Sequence, residues 1–297
     1  TGSDVPEEVA KAIGLLEVLD DVSIIAAPGS TTKPVYDALT GQAADLNRFA
    51  ILDPPEKQNN IQTLKANGSV RNILGESQFA AFYYPRVLVA PELKDDRPTD
   101  ADKPDFVTPT GHLAGLYART DAERGVHKAP ANLAMRGVLG LEHLLSDSDQ
   151  NLLNQDGVNV LRLFNGVPTV WGARTLQVKN ATLAPLFRYI STRRVTTFIE
   201  LSLKQGLRFA TFEPNNLALR QIIKRSVRGF LDGVWRDGAL FGATPDEAYY
   251  VRFPETGNSD EDRANGLLTV EIGLRLTFPA EFIVLRIGLI LQSATAA

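Results

Sequence analysis

The 297-residue chain contains no cysteine, only three histidines and a single methionine, Met135. Without cysteine it has no disulfide framework, no thiolate metal ligand and no cysteine nucleophile. No run of about 18 apolar residues occurs, so the sequence predicts no membrane-spanning helix. The histidines stand at positions 112, 127 and 143, and no two of them have the i, i+4 spacing of a helical metal site. We therefore predict no metal ligands among them.

Charge is moderate overall but uneven along the chain. Lysine and arginine number 31 against 35 aspartate and glutamate residues, a net charge of −4 that argues against general nucleic-acid binding. Residues 1–148 hold 14 basic and 21 acidic side chains, whereas residues 149–297 hold 17 and 14. Residues 146–157 are rich in turn formers, which predicts a boundary between two domains, 1–148 and 149–297. The opposite net charges indicate that the two halves face different partners, or each other.

The first half alternates between predicted strands and helices. Three short apolar segments predict buried strands at residues 22–27, 49–52 and 79–84. Thr31 or Thr32 is suited to cap the helix that follows the first strand. Because strands that alternate with helices favour a parallel sheet covered on both faces, the predicted fold class is α/β, with a three-layer-like arrangement.

The second half predicts an α+β domain. Apolar residues spaced three or four apart mark one face of a helix over residues 216–237. Another helix is predicted over residues 186–205, with a strand at 207–212 between the two. Alternation over residues 268–278 predicts a half-buried antiparallel strand. A last strand, residues 281–291, is apolar on both faces, so it lies either at the centre of its own chain's sheet or in the sheet of a neighbouring subunit.

Motifs that would carry catalysis or cofactor binding are weak. The turn over residues 27–32 follows a strand and opens a helix, where backbone amides are able to hold a phosphate. It lacks the lysine of a phosphate-binding loop and the G-x-G-x-x-G spacing, so a plain turn is the preferred interpretation. Residues 147–158 open like a calcium loop but have Leu152 and Val158 where glycine and glutamate are required. We predict no catalytic residues, no cofactor and no metal.

A basic cluster lies on the second-half helix that carries the apolar face. The cluster consists of Arg220, Lys224, Arg225 and Arg228. Its first, second and fourth members recur at i, i+4 and i+8, and no acid occurs between Glu213 and Asp232. One interpretation is a solvated helix face. The other is a docking surface for an acidic partner, either protein or nucleic acid.

Several sequence blocks are similar to those of one known family. They are Gly111-His-Leu-Ala-Gly-Leu-Tyr-Ala-Arg-Thr-Asp121, Arg124-Gly-Val-His-Lys-Ala-Pro-Ala-Asn132, Arg136-Gly-Val-Leu-Gly-Leu-Glu142, Asp156-Gly-Val-Asn-Val-Leu-Arg162, Val170-Trp-Gly-Ala-Arg-Thr-Leu176, Tyr189-Ile-Ser-Thr-Arg-Arg194, Phe212-Glu-Pro-Asn215, Trp235-Arg-Asp-Gly-Ala-Leu-Phe-Gly242 and Pro279-Ala-Glu-Phe282. In this order they resemble contractile tail sheath proteins, the sheath subunits of phage tails and related contractile injection systems. The resemblance covers residues 105–292, and residues 1–104 match less distinctly, in the region where the more variable part of the family would lie.

The resemblance implies a structural role and no enzymatic activity. Sheath subunits polymerise as stacked rings or a helix around an inner tube and contract to drive that tube through a target envelope. The implied partners are other copies of the chain, the inner tail tube protein, and baseplate and terminator proteins at the ends, with no nucleic acid and no membrane insertion. The implied location is a virion tail or injection-system particle assembled in the bacterial cytoplasm.

The resemblance also implies roles for two regions. Residues 281–291 fit the terminal strand that links one subunit to the sheet of its neighbour, through Phe282, Ile283, Val284, Leu285, Arg286 and Ile287. By position, Arg220, Lys224 and Arg228 are candidates for contact with the tube. Since sheath subunits carry an N-terminal arm, we expect further sequence ahead of Thr1, and poor polymerisation without it. The alternative is an α/β enzyme or a phosphate-binding or nucleotide-binding domain that uses the 27–32 turn.

Overall fold

The structure is a computed structural model that describes residues 6–58, 60–65, 67–90, 106–179 and 183–281. The helices in these ranges are α1 (Pro6–Gly14), α2 (Lys33–Asp45), α3 (Ser69–Leu74), α4 (Thr110–Arg124), α5 (Asp147–Gln155), α6 (Leu183–Phe187), α7 (Ile190–Gly206), α8 (Leu217–Arg236), α9 (Pro245–Ala248) and α10 (Asp260–Ala264). The strands are β1 (Ile24–Ala26), β2 (Phe49–Leu52), β3 (Ala80–Tyr84), β4 (Val87–Leu88), β5 (Phe106–Val107), β6 (Leu133–Ala134), β7 (Gly140–Leu141), β8 (Val158–Phe164), β9 (Val167–Trp171), β10 (Tyr249–Arg252) and β11 (Glu271–Leu274).

Six strands form the main sheet, in the order β1-β2-β3-β8-β9-β6. β1, β2, β3 and β8 are parallel, whereas β9 is antiparallel to both of its neighbours, β8 and β6. Asn165 and Gly166 turn the chain between β8 and β9 with φ values of 51° and 80°, as a two-residue type I′ hairpin requires. The predicted parallel α/β sheet is confirmed, with an antiparallel edge in addition. This sheet continues past the predicted domain boundary at residue 148.

The main sheet separates two buried cores. In β3, Phe82 and Tyr84 point to one face and Tyr83 to the other, as alternation along a strand requires. Helices α1, α2, α3 and α5 cover the first face. Helix α4 and a small sheet, ordered β5-β4-β7, cover the second face. The described residues up to 176 therefore form three layers, as predicted, and we term them the sheet unit.

Local sequence explains where the helices of the sheet unit begin. α2 follows Thr32 and carries Pro34 in its first turn. Proline is tolerated there because the N–H groups of the first turn have no acceptor within the helix. α5 begins with a capping box, in which the Ser146 hydroxyl accepts from the Asp149 N–H and the Asp149 carboxylate accepts from the Ser146 N–H. The acidic residues that resemble a calcium loop thus start a helix. No group of residues within the described ranges is arranged to hold a metal ion.

Residues 183–281, termed the C-terminal unit, fold around a third core. α8 buries one face, formed by Leu219, Ile223, Val227, Leu231 and Val234. The Asn216 side chain caps this helix by accepting a hydrogen bond from the Leu219 N–H at 3.0 Å. β10 and β11 form an antiparallel pair, and β10 contacts α8. The predicted helix over residues 216–237 is confirmed.

The predicted strand over residues 207–212 is wrong. Arg208–Ala210 form a 3₁₀ turn, and Phe212 has a φ of 68°, outside the range of a strand. The Thr211 N–H donates to the Arg208 carbonyl at 3.2 Å, so the backbone forms its hydrogen bonds locally instead of with a neighbouring strand.

Two other predicted elements are shorter than the sequence suggested. Of the alternating residues 268–278, Glu271–Leu274 pair as β11. The predicted helix over residues 186–205 is interrupted before α7, where Tyr189 forms a β-bridge with Arg174. No helix within the described ranges combines the length and the apolar character needed to cross a bilayer.

The two tryptophans lie one in each unit. Trp171, at the end of β9, packs against the Phe164 ring with the ring centroids 4.5 Å apart. Trp235, on α8, is half-buried and donates from Nε1 to the Gly242 carbonyl at 2.9 Å. Each indole therefore makes its contact within its own unit.

Candidate interaction surfaces

A carboxylate of the chain itself occupies the turn over residues 27–32. The Gly29 N–H donates to Asp53 Oδ2 at 3.1 Å, and the Thr110 N–H donates to Asp53 Oδ1 at 3.1 Å. Burial raises the pKa of Asp53 above its usual range, although these hydrogen bonds act in the opposite direction. A phosphate at this turn would meet that carboxylate. The geometry therefore contradicts the alternative of a phosphate-binding or nucleotide-binding site here.

The three basic residues predicted to face a partner have different surroundings. Arg220 is half-buried, and its guanidinium lies 5.9 Å from the centre of the Phe253 ring. Arg228 donates to Asp246 Oδ1 at 2.9 Å, and this bond raises the pKa of Arg228. Lys224 lies between the two along the helix and is half-exposed. Arg220 is thus part of the packing of the C-terminal unit, and Arg228 is partly neutralised.

Helix geometry explains this divergence. Successive residues of an α-helix are rotated by about 100°, so each i+4 step drifts around the axis by about 40°. Arg220 borders the buried face that contains Leu219 and Ile223, and Arg228 is displaced toward solvent. The i, i+4, i+8 spacing therefore does not place all three cations on one flat surface.

Three cations of α8 surround a shallow depression. Lys224, Arg225 and Arg228, termed the α8 basic surface, line about 410 Å³ of it together with Gln221 and Asp232. Tyr249 Oη donates to Asp232 Oδ1 at 2.5 Å. Burial, followed by this hydrogen bond, raises the pKa of Tyr249 to about 12, so Tyr249 stays protonated and continues to donate at neutral pH. Arg225 is exposed, and it belongs to the predicted basic cluster although it was not among the three predicted tube contacts.

The predicted linking residues 282–287 lie outside the described residues, but Glu281 directly before them is described. Arg174 holds its carboxylate in a bidentate pair, with Nε 2.9 Å from Oε1 and Nη2 2.6 Å from Oε2. Asn154 Nδ2 donates to Oε1 at 2.8 Å, and Tyr189 Oη donates to Oε2 at 2.9 Å. We term these four residues the Glu281 cluster.

Most of the Glu281 cluster is shielded from solvent. The side chains of Arg174 and Glu281 are 10% and 17% exposed. Burial on its own would raise the pKa of Glu281, but the hydrogen bonds and the charge of Arg174 outweigh it and hold this pKa below its usual range. Glu281 is therefore ionised at neutral pH, and the pair is fully charged.

The sheet unit fixes the backbone of Arg174 in place. The Arg174 N–H donates to Asn159 Oδ1 at 2.7 Å, and Asn159 Nδ2 donates to the Arg174 carbonyl at 2.7 Å. Asn159 belongs to β8 and is fully buried. Gly172 permits this close approach, because a Cβ at that position would lie 2.8 Å from Asn159 Cα. The backbone of Arg174 is thus held by the main sheet, and its guanidinium extends from that fixed point to Glu281.

A second bidentate pair joins α7 to α4. Arg194 Nη1 donates to Asp121 Oδ1 at 2.9 Å, and Nη2 donates to Oδ2 at 2.5 Å. The guanidinium lies 5.0 Å from the centre of the Tyr117 ring, and the Tyr117 and Tyr83 hydroxyls share a hydrogen bond of 2.7 Å. This pair connects the C-terminal unit to the sheet unit without any member of the Glu281 cluster.

The sheet of the C-terminal unit is small and incompletely covered. Within the described ranges β10 and β11 pair with each other, extended by one bridge between Leu240 and Leu276. Every residue of β11 is half-buried, including Ile272 and Leu274. A two-stranded sheet is marginal by itself, and a strand edge presents N–H and C=O groups to any further strand.

Sequence comparison covers both units. The family model described as the phage tail sheath protein central domain matches residues 9–176, and the model described as the phage tail sheath C-terminal domain matches residues 183–290. The chain belongs to the phage tail sheath family. The resemblance seen in the sequence blocks is thereby confirmed.

Curated members of the sheath family are similar over most of this chain. The tail sheath protein of Burkholderia phage BcepMu is 27% identical over 267 residues, which are 87% of this chain and 53% of that protein. The tail sheath protein of Escherichia phage P2 is 24% identical over 275 residues, 89% of this chain and 62% of that protein. The chain thus spans less than two thirds of the length of these two relatives.

Solved sheath structures share the fold. A chain in the anti-feeding prophage baseplate is 28% identical with a TM-score of 0.80, over 98% of this chain and 75% of that one. The contracted helical sheath of the anti-feeding prophage is 30% identical with a TM-score of 0.77, over 97% and 76%. The contracted sheath complex of the extracellular contractile injection system PVC is 29% identical with a TM-score of 0.77, over 96% and 79%. These relatives are structural sheath proteins and not enzymes.

Sequence reasoning on this sheath-family chain missed the Glu281 cluster. Arg174 and Glu281 are 107 residues apart, and no spacing rule connects residues at that distance. A signal was nevertheless present, because Arg174, Tyr189 and Glu281 each lie in one of the sequence blocks that resemble the family. The family resemblance therefore includes these three residues, but only the folded structure shows that they are in contact.

Proposed function

We propose that this chain is part of a contractile sheath subunit that polymerises around an inner tube, as stacked rings or a helix, and contracts to drive the tube through a target envelope. The observation that carries the proposal is the match of both family domains, over residues 9–176 and 183–290. Similarity to a sheath in its contracted form supports the contractile role. We place the division between the two domains after residue 176, where the six-stranded sheet has ended.

The proposed partners follow from the same relatives. Similarity to a helical sheath supports association with other copies of the chain, and similarity to a baseplate chain supports association with a baseplate. The tube protein and a terminator at the far end complete the proposed set. The proposed location is a phage tail or injection-system particle that assembles in the bacterial cytoplasm. The role is structural, without a catalytic step.

We propose that residues 282–287 form the strand that links neighbouring subunits. Their apolar sequence suits burial on both faces, and burying one large aliphatic side chain stabilises by roughly 1.5–3 kcal/mol. The half-buried strand β11 supports the complementary role of acceptor, since an added strand would cover it and satisfy its edge. In this proposal the strand leaves the subunit directly after Glu281.

We propose that the α8 basic surface faces the tube. Arg225 is exposed and Lys224 is half-exposed, Arg228 is shared with Asp246, and Arg220 contributes mainly to packing. Exposed charge pairs are worth only about 0–1 kcal/mol each, so contacts of this kind can be exchanged as a sheath slides over its tube. An acidic surface on the tube is the expected complement.

The first test is assembly of the full-length protein. Negative-stain microscopy of the protein together with its tube protein should show tube-bound rods or stacked rings. The matched control omits the tube protein and records what the subunit forms alone. Monomers only, in the presence of tube, would contradict the proposed function.

The second test removes residues 282–297 and keeps Glu281. The circular dichroism and the melting temperature of the isolated subunit should change little, because the three cores lie in the residues that remain. Ordered polymer should be lost, since the linking strand is gone. Polymers indistinguishable from those of the intact protein would show that this segment is not the link.

The third test reverses charge on the α8 basic surface. Lys224→Glu combined with Arg225→Glu should reduce co-purification of the tube while contacts between sheath subunits persist. Lys11→Glu, an exposed change on α1, serves as the matched control. Unchanged tube recovery in the double variant would contradict the assignment of α8 to the tube.

A further inference from the structure

We propose that the Glu281 cluster anchors the C-terminal segment to the sheet unit, so that a pull on the linking strand passes into the six-stranded sheet through Arg174. The inference rests on the proposed function, because it requires that residues after Glu281 be held by a neighbouring subunit. In this role Arg174, Asn154 and Tyr189 are positioning residues: they determine where the strand starts and in which direction it leaves.

The path of the chain supports an anchor at this point. Thr277 is still bonded to the C-terminal unit, since its N–H donates to the Ala239 carbonyl at 3.2 Å. Four residues later, Glu281 is bonded to Arg174 of the sheet unit. The C-terminal unit therefore contacts the sheet unit at its last described residue, directly before the proposed linking strand. Tension on that strand meets Glu281 before it reaches β11.

The geometry suits a fixed attachment. A bidentate guanidinium–carboxylate pair restrains orientation as well as distance. Tyr189 restrains the same segment from within the C-terminal unit, because its ring also packs edge-on against Phe278 with the centroids 6.5 Å apart. Contacts at two positions three residues apart restrain the segment from swinging about a single bond.

The anchor leads into the interior of the main sheet. Asn159, which fixes the Arg174 backbone through two hydrogen bonds, lies in β8 at the centre of the main sheet. β8 has a parallel partner on one side and an antiparallel partner on the other. Without the anchor, tension would fall on the four-residue β10–β11 ladder, which has fewer bonds to share it.

The chain supplies a matched control for this proposal. Arg194 and Asp121 form a pair with nearly the same distances and burial, between the same two units, but they make no contact with Glu281. A substitution at either arginine should therefore affect the fold to a similar degree. Only the Arg174 substitution should affect what the linking strand transmits.

The experiment compares Arg174→Lys with Arg194→Lys in the full-length protein, using thermal melting of the subunit and the yield of sedimentable polymer on tube. Lysine keeps the charge but loses the fork geometry. We expect similar melting temperatures for the two variants. We also expect the polymer yield of Arg174→Lys alone to be about tenfold lower, because that factor corresponds to the loss of one charged hydrogen bond. Equal yields, or yields that simply follow the melting temperatures, would overturn the anchor.

A second measurement tests the contact without polymerisation. The urea midpoints of the wild-type protein, Arg174→Lys, Glu281→Gln and the double variant should combine non-additively, because the two residues form one pair. Additive shifts would overturn the anchor even if polymer yield falls. A wild-type protein that forms no polymer would contradict the proposed function and therefore also the role of the anchor. The urea series, in contrast, tests only the contact between Arg174 and Glu281.

Discussion

The sheet unit and the C-terminal unit bury their strands to different extents. All residues of β2 and β3 are buried, because apolar layers cover both faces of the main sheet. In β11 every residue is only half-buried, and the pair β10–β11 has one core behind it. The comparison teaches that the central strands of the sheet unit are covered on both faces within one chain, whereas β11 leaves surface for something else to cover. This difference supports the proposal that the C-terminal unit receives a neighbour's strand.

The largest loss of stability is expected for a substitution in the core of the sheet unit. Phe82→Ala removes a fully buried ring from β3 and should lower the free energy of unfolding by about 3–5 kcal/mol, because a cavity replaces it. Phe209→Ala in the C-terminal unit is the matched control, since that ring is 47% exposed. Urea unfolding of the isolated subunit measures both. Similar losses for the two variants would contradict the contrast between the units.

Two glycines sharpen the same contrast. A Cβ at Gly172 would meet the Asn159 backbone at 2.8 Å, so Gly172→Ala should cost about 1–3 kcal/mol through strain. A Cβ at Gly273 would meet the Tyr250 ring at 2.0 Å, but Tyr250 is 48% exposed and can rotate away. Gly273→Ala should therefore cost less than about 1 kcal/mol. The urea midpoints of the two variants measure these costs. A larger loss of stability for Gly273→Ala than for Gly172→Ala would contradict the contrast between the two units.

A substitution in β11 should matter more in the polymer than in the subunit. Ile272→Ala removes a half-buried side chain, so the isolated subunit should lose about 1 kcal/mol of stability. If a strand from a neighbouring subunit covers β11, Ile272→Ala also removes contacts between subunits. The polymer yield should then fall by a larger factor than the loss of subunit stability explains. Subunit melting and polymer sedimentation measure the two effects. A polymer that tolerates the change would argue against β11 as the acceptor.

Acidification should have opposite effects through two shielded carboxylates. The pKa of Glu281 is lowered by folding, so its contribution to stability is present above its unfolded value of about 4.5 and is lost as pH falls through the folded value. The pKa of Asp53 is raised, so its contribution is present below its unfolded value of about 3.8 and is lost as pH rises through the folded value.

Melting temperatures from neutral pH to about pH 3 measure both effects. The advantage of the wild-type protein over Glu281→Gln should shrink on acidification, whereas its stability relative to Asp53→Asn should improve. A gap between the wild-type protein and Glu281→Gln that stays constant across this range would contradict the paired state of Glu281.

Local patterns in the sequence predicted most elements of the fold. The strand over residues 49–52 is observed with the predicted bounds, because a strand buried on both faces is a continuous apolar run. Helix α8 was predicted to within one residue at each end, since its apolar face and the Asn216 cap are both local signals. The false strand at 207–212 has the right composition, but a strand also needs a neighbour, and composition does not reveal one.

The candidate surfaces were harder to predict, because their chemistry depends on residues distant in sequence. In the sequence the basic residues of α8 appear equivalent. In the structure Asp246 of α9 binds Arg228, and Phe253 packs against Arg220. Likewise, nothing local indicates that Glu281 meets Arg174. Resemblance to the sheath family identified the important segments without identifying their contacts.

The placement of one tryptophan in each unit has a practical consequence. Trp171 and Trp235 are the chain's two indoles, so intrinsic fluorescence carries one signal from each unit. With either one replaced by phenylalanine, the remaining emission reports the opening of a single unit as denaturant is raised. If the C-terminal unit depends on its neighbours for cover, its emission should change first in free subunits, and the two transitions should converge once subunits are locked into a lattice.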